Sequence, residues 1–424
     1  MTIYLGAFVL FLVLGVPVAL SLGMASLSYL ALTGNLALML AFPQRMIAGI
    51  DNFVLLTIPF FILAGNLMNA ANLTQQIVLF AQMVVGRVRG GLAVVNIVAS
   101  MMFSGVSGAA TAEASAIGSV MIPSMKRDGY SGAYAAALTA VGSLLGPLVP
   151  PSLALILYGV LTGTSIADLF LAGIVPAVCL CLLLVVYALW KARREDHPLS
   201  PVLTSDQKRS ATVGAIPALL LPVIIVGGIR SGVFTPTEAA AVACVYALLI
   251  GGLVYRSLSF KAIASGFYET ATMSAGVMLV VAMASMTAFV LGIENIPARI
   301  AASLLGVTES PVGLLILLNI VLLVLGLFLE PLAALILAMP ILAALTPTIG
   351  IDPVQFGVMV VLNLMIGMVT PPVGLVLFIV SAIARTPLEA VTRAALPLIA
   401  ISMVVLMLVA FVPQVSLFLP RLFH

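Results

Sequence analysis

GSLLGPLVPPSLALILYGVLTGTSIADLFLAGIVP runs from Gly142 to Pro176, and NLMIGMVTPPVGLVLFIVSAIARTPLEAVTRAALP runs from Asn363 to Pro397. The proline pairs inside them, Pro150-Pro151 and Pro371-Pro372, lie 221 positions apart, and that offset holds without a gap from Gly146/Gly367 to Pro176/Pro397. Proline lacks an N–H and its ring clashes with the preceding turn, so each pair breaks a helix. In a bilayer, broken backbone survives only where protein buries it or where it lines a cavity. Paired breaks at corresponding positions of two halves point to the binding site of a transporter. A second match lies beside the first. Glu113 precedes Pro123 by ten residues and Glu330 precedes Pro340 by ten, at an offset of 217, which predicts about four residues gained or lost between the two blocks.

Composition sets the class. The chain of 424 residues is 63% hydrophobic and 7% charged, with a mean hydropathy of +1.30, against about 25% charged in a soluble domain. Apolar runs of the roughly 20 residues that span the hydrocarbon core recur throughout. These features predict an all-α polytopic membrane protein. The net charge of +3 says little about partners, and no basic surface supports nucleic-acid binding. Cys179, Cys181 and Cys244 sit in apolar spans without companion metal ligands, so they read as fillers. No basic residue precedes Arg45, which predicts a retained first span rather than a cleaved signal.

The coarse spans are 2–20, 22–41, 53–71, a hairpin 90–125, a broken span 131–163 and 167–190, then 211–229, 236–254, 271–292, a hairpin 312–346, a broken span 353–384 and 388–415. Each half then crosses five times and carries one re-entrant hairpin. An odd number of crossings makes 1–190 and 211–424 two inverted-topology repeats, joined by a polar linker at 191–210. Basic residues collect in cytoplasmic loops. This topology puts thirteen inside, among them Arg87, Arg89, Lys126, Arg127, Lys191, Arg193 and Arg194, and four outside: Arg45, Arg230, Arg299 and Arg421. The linker is thus expected in the cytoplasm and both termini outside. The first hairpin should enter from the cytoplasm, and the second, flanked by Glu309 and Asp352, from outside. The arms of the first, GLAVVNIVASMMF and EASAIGSVMIPSM, are joined by SGVSGAATA, which favours a turn; the joint of the second is LFLEP. One kinked crossing packed on small residues is the other reading of each segment.

Hairpin joints and breaks predict a site near the midplane. Helix N-termini there suit carboxylates, while freed carbonyls and hydroxyls suit a small cation such as Na⁺. The candidate donors are the backbone and side chains around Ser104, Gly105, Ser107, Gly108, Thr111, Ser152, Gly326, Gly367, Thr370 and Gly374, at and beside Pro150, Pro151, Pro371 and Pro372. Glu113 and Glu330 are carboxylates placed deep in hairpins, each either functional or structural: capping a helix N-terminus, or bonded to hydroxyls of a neighbouring helix. Gly105-Val106-Ser107-Gly108 matches a GxSG nucleophile motif, but that chemistry needs a histidine base in reach. The two histidines are His197 in the linker and His424 at the last position, so an intramembrane enzyme is disfavoured. No phosphate-binding loop GxxxxGK[ST] occurs.

The run VLLTIPFFILAGNLM (54–68), the block FSGVSGAATAEASAIGSVMIP, LVPPS and GMVTPPVG, in that order, resemble the large membrane subunit of tripartite ATP-independent periplasmic (TRAP) transporters over essentially the whole chain. The resemblance implies Na⁺-driven uptake of an organic acid, such as a C4-dicarboxylate, sialic acid or another sugar acid, across the bacterial inner membrane, with no further cofactor. It implies a periplasmic substrate-binding protein and a small four-helix membrane subunit, here a separate polypeptide. It also implies an elevator fold, with a moving transport domain (about 53–163 plus 271–384) against a scaffold of the remaining spans. The family's substrate and ion region falls on Ser104 to Thr111, Pro150-Pro151, Gly326 to Pro331 and Thr370-Pro371-Pro372. The alternative is a stand-alone anion symporter or exporter of the same superfamily, without a binding protein.

Overall fold

A computed structural model describes residues 2–86, 88–195, 197, 204–308 and 310–423, which are helical nearly throughout. Arg87, Glu309, linker positions 196 and 198–203 with Ser200 among them, and His424 lie outside the described residues. Seven helices among the described residues are long and apolar enough to cross a membrane: Phe53–Ala70, Ile166–Arg194, Ser205–Arg230, Pro236–Val254, Phe260–Ile293, Pro311–Phe328 and Leu388–Phe411. The chain is a polytopic, all-helical membrane protein.

Several bounds differ from those expected. The first two spans resolve into Thr2–Val13, Val18–Leu32, Leu36–Met39 and Phe42–Ile50, because Gly15 and Gly34 take positive φ and end their turns. Two helices, Leu73–Val85 and Ile296–Val307, were not anticipated: each is too short to cross alone and lies beside a longer apolar run. The stretch expected as 388–415 stops at Phe411, and Pro413 opens a separate helix, Pro413–Phe423. The span expected as 271–292 is a single helix of 34 residues, Phe260–Ile293.

Each segment expected as a hairpin holds two helices with a joint of two residues, although the first arm of the second, Pro311–Phe328, is itself long and apolar enough to cross. Gly91–Ser107 and Ala110–Arg127 are parted by Gly108 and Ala109, and Pro311–Phe328 and Pro331–Ile349 by Leu329 and Glu330. SGVSGAATA is therefore mostly helical: its small side chains pack the arms, and Gly108 alone, at φ +62°, supplies the reversal. The joints correct the expected pairing of Glu113 with Glu330. Glu330 is the N-cap of its arm, whereas Glu113 lies four residues past the N-cap Ala109. Ala109 and Glu330 are separated by the same 221 positions as the proline pairs, so no gain or loss of four residues is needed.

Both broken spans break where the prolines stand. Gly132–Gly142 tightens into a 3₁₀ turn, Ser143–Leu145, and helix resumes at Leu153–Thr162; Pro353–Gly367 stops before Pro371-Pro372 and helix resumes at Leu375–Ala384. Both Pro-Pro bonds are cis. The halves interlock: Leu153–Thr162 packs on Pro353–Gly367 and on Pro331–Ile349, and Leu375–Ala384 packs on Ala110–Arg127 and Gly132–Gly142.

Candidate functional site

The tip of the first hairpin rests on the first break. A Cβ on Gly108 would sit 2.3 Å from the Pro151 carbonyl oxygen, so only glycine permits that approach, and its φ of +62° asks for glycine independently. Ser152 caps the resumed helix, accepting from the Leu155 N–H at 3.2 Å while its hydroxyl donates to the Pro147 carbonyl at 2.5 Å. The second pair of elements meets the same way. A Cβ on Gly326 would lie 2.7 Å from the Leu364 carbonyl oxygen, and one on Gly367 would lie 2.5 Å from the Gly326 carbonyl carbon. Gly374, at φ +59°, opens the helix after the second break, and the Thr370 hydroxyl donates to the Ile366 carbonyl at 2.6 Å.

The two hairpin joints face each other across a cavity of ≈ 30 Å³. Its lining draws Gly108, Ala109, Ala110 and Thr111 from the first hairpin and Glu330, Pro331 and Leu332 from the second. Pro147, Leu153 and Ala154 from the first broken span, with Met365 and Met368 from the second, complete it. Three helices therefore begin on this one cavity, at Ala110, Leu153 and Pro331. Each helix N-terminus carries free N–H groups and about half a positive charge. Two are already capped by side chains: Ser152 serves one, and the Glu330 carboxylate accepts from Leu332 N at 3.1 Å and Ala333 N at 3.3 Å at another. The third, after Ala109, has no side-chain cap, and Thr111 adds a hydroxyl beside it.

The two carboxylates have different surroundings. Glu113 has no exposed surface and accepts a hydrogen bond from the Ser104 hydroxyl at 2.9 Å; its Oε1 has no hydrogen-bond partner, although the Ser100 hydroxyl lies beside the carboxyl. A Cβ on Gly146 would fall 2.6 Å from Glu113 Oε2, so the first broken span closes over it. Glu113 thus takes up neighbouring hydroxyls, and Glu330 caps a helix while lining the cavity.

Of the nominated residues, Gly108, Thr111, Glu330 and Pro331 meet at this cavity, and Ser107 lines an adjoining one of ≈ 40 Å³. Ser104 faces Glu113, and Gly105 packs on Pro222, whose Cγ would lie 2.3 Å from an added Cβ. Pro150, Pro151, Ser152, Gly326, Gly367, Thr370, Pro371, Pro372 and Gly374 shape the breaks without lining either cavity. Unforeseen in the sequence were Pro147, Met365 and Met368, and on the helix Thr57–Ala70 the amides Asn66 and Asn69. The last two carried a signal: a polar pair three residues apart in an otherwise apolar span shares one helix face. His197 lies elsewhere, its ring 4.2 Å from that of Tyr130.

A family model described as "Tripartite ATP-independent periplasmic transporter, DctM component" matches residues 5–415. The chain is similar to the sialic acid TRAP transporter large permease protein SiaM of Vibrio cholerae, 43% identical over 409 residues covering 96% of both chains. It is also similar to the C4-dicarboxylate TRAP transporter large permease protein DctM of Vibrio cholerae, 37% identical over 431 residues covering 97% of this chain and 95% of that one. Among solved structures, the crystal structure of the YdaH transporter of Alcanivorax borkumensis matches at a TM-score of 0.67 and 14% identity, over 98% of this chain and 100% of that one, a likeness of fold alone.

Proposed function

This chain belongs to the family of the DctM component of tripartite ATP-independent periplasmic transporters, and from that premise we propose that it carries a small organic acid inward across the bacterial inner membrane by Na⁺ symport. It is a multi-pass transporter permease and not an enzyme. The family works with a small membrane subunit and a periplasmic binding protein. The names of the relatives favour a sialic acid, a C4-dicarboxylate or a chemically similar acid as the cargo.

The observation that carries the reading is the convergence of three helix N-termini and one carboxylate on the cavity between the hairpin joints. The uncapped N-terminus at Ala110, with Thr111, takes the substrate carboxylate, as helix starts take anions generally. Glu330 opposes this, since two negative charges in one small cavity repel. Na⁺ held near Glu330 by carboxylate, carbonyl and hydroxyl oxygens removes the repulsion. Ion and substrate then favour each other, and by linkage each tightens the other by the same factor. A space of ≈ 30 Å³ holds no more than a few waters, so a sugar acid enters only as the joints part or as the elements around them shift. That need favours two inverted repeats whose hairpins and broken spans, 53–163 plus 271–384, slide as an elevator against the other spans. The small subunit then docks on the static face, where Val213, Leu220 and Val223 on Ser205–Arg230 and Val245 and Leu249 on Pro236–Leu249 are exposed.

The test is uptake into proteoliposomes holding this chain with its small subunit, supplied with loaded binding protein. Accumulation should require an inward Na⁺ gradient. Equal uptake with choline in place of Na⁺ would sink the coupling, and uptake without binding protein would favour a stand-alone symporter.

A further inference from the structure

The ≈ 30 Å³ cavity does not stand alone. It shares Ala109 and Leu153 with the ≈ 40 Å³ cavity, which shares Asn69 and Ala112 with a third of ≈ 400 Å³ that is lined by Asn72, Gln75, Ser115 and Ser119 among others. The three form a series leading from the hairpin joints along the second arm of the first hairpin. The middle chamber has no charged lining residue; its polar members are Asn66, Asn69 and Ser107, set against Phe103, Ile62 and Met273.

The hydrogen bonds orient those three groups. Asn66 donates its amide N–H to the Thr270 hydroxyl at 3.1 Å, which leaves its carbonyl oxygen as an acceptor. Asn69 accepts from the Thr74 hydroxyl at 3.1 Å, which leaves its N–H₂ as a donor. The Ser107 oxygen is buried and has no partner within the protein. One acceptor, one donor and one hydroxyl with both capacities thus line a neutral chamber next to the anion-binding joint. Such a set matches neutral hydroxyl groups, which both donate and accept; a second carboxylate would find two donors but no positive charge, and would face the Asn66 carbonyl oxygen with nothing to donate to it.

We propose that this chamber is a hydroxyl-recognition subsite, and that the cargo is a polyhydroxylated sugar acid whose carboxylate sits at the hairpin joints while a hydroxyl a few bonds away fills the chamber. The inference rests on the organic-acid reading above and narrows its substrate class. A site built to bond a substrate hydroxyl discriminates against the analogue without it, because its own buried polar groups are then left unpaired.

The experiment measures binding to the full chain in lipid nanodiscs with Na⁺ present, by titration calorimetry. The probes are N-acetylneuraminate, gluconate and glucarate, against succinate and adipate; adipate is glucarate without its hydroxyls. At least one hydroxylated acid should bind more tightly than both hydroxyl-free acids. Ser107→Ala has no intraprotein bond to lose, so folding should be unaffected. It should weaken the preferred hydroxylated acid about three- to tenfold, the range of one ordinary hydrogen bond. It should leave the hydroxyl-free acids and the Na⁺ requirement unchanged. Asn69→Ala should do the same, with Thr74→Val as the control for its internal bond. Tighter binding of succinate or adipate by the unaltered chain overturns the proposal, as does an equal loss for both classes in Ser107→Ala. A changed Na⁺ requirement in that variant also overturns it and assigns the hydroxyl to the ion. Binding of none of the five acids overturns the organic-acid reading itself.

Discussion

Glu330 joins a structural role to a position on the candidate site. Its carboxylate caps the second arm of its hairpin through Leu332 N and Ala333 N, and it lines the cavity between the joints. Glu330→Gln keeps an oxygen for the cap and removes the charge. The expected outcome is normal insertion with Na⁺-dependent uptake reduced at least about tenfold, the loss of one charge-assisted contact; uptake at the unaltered rate and Na⁺ dependence would remove Glu330 from the coupling. At the other end of the first hairpin, burial holds the His197 imidazole below its ordinary value of 6.5, with Glu195, 3.2 Å away, pulling it up and Lys191 pushing it down. Tyr130 and Tyr134 face the ring, and its Nδ1 is buried without a partner. A base with a lower pKa folded than unfolded is held neutral, so its contribution is complete above the unfolded value and is lost as pH falls through the folded one. Proteolytic cleavage of the linker should rise as pH falls from about 7.5 to about 5, and His197→Phe should flatten that dependence. A cleavage rate independent of pH in the unaltered chain would contradict it.

Each hairpin is bonded to its broken span by a buried amide. Asn96 on the first arm of the first hairpin donates to the Thr139 hydroxyl at 2.7 Å, and Asn363 on the second broken span donates to the Asn319 side-chain oxygen at 2.7 Å and its carbonyl at 2.9 Å. The glycine contact between Gly326 and Gly367 closes the same interface. These bonds tie each hairpin to its broken span. Asn363→Ala orphans buried partners and should destabilise the protein by about 1–3 kcal/mol, read as a lower unfolding midpoint in detergent. Gly367→Ala should do more harm than Asn363→Ala, because backbone and not a flexible side chain stands in the way; an unchanged midpoint in both would show that the interface contributes nothing.

Across the whole molecule, the expected topology splits the basic residues thirteen to four, and from that split we expect the linker side to face the cytoplasm. Glu195→Cys puts an accessible thiol at that face, since Glu195 is exposed while the native Cys181 and Cys244 are buried and Cys179 is half-buried. An impermeant maleimide should label it in broken cells and not in intact ones. Labelling in intact cells would invert the topology, and with it the direction in which the series of cavities opens. That series leads from the joints along Ala112, Ser115 and Ser119 toward the end of the arm that carries Lys126 and Arg127. It therefore opens to the cytoplasm in the expected topology.

The sequence by itself determined the membrane class, the two helix–joint–helix segments, the two breaks and the family. All of these are local or compositional properties: a run of apolar residues fixes a span, a proline pair fixes a break, and repeated motifs keep their order however the helices pack. The tertiary structure alone decided which of the nominated residues meet. Thr111 and Glu330 share a cavity, while Gly105 turns to Pro222 and Ser104 to Glu113, because a helix presents a new face every residue and only packing selects the one that looks inward. The apparent equivalence of Glu113 and Glu330 fails for the same reason: a spacing of ten residues to a proline says nothing of where the arm begins, and that start, at Ala109 and Glu330, is set by the turn of each joint. Asn66 and Asn69 were legible as a polar pair on one helix face. That this face looks onto Ser107 was settled by the packing of Thr57–Ala70 on the first hairpin, where Gly65 lets the two backbones approach until a Cβ would lie 3.1 Å from the Val106 carbonyl oxygen.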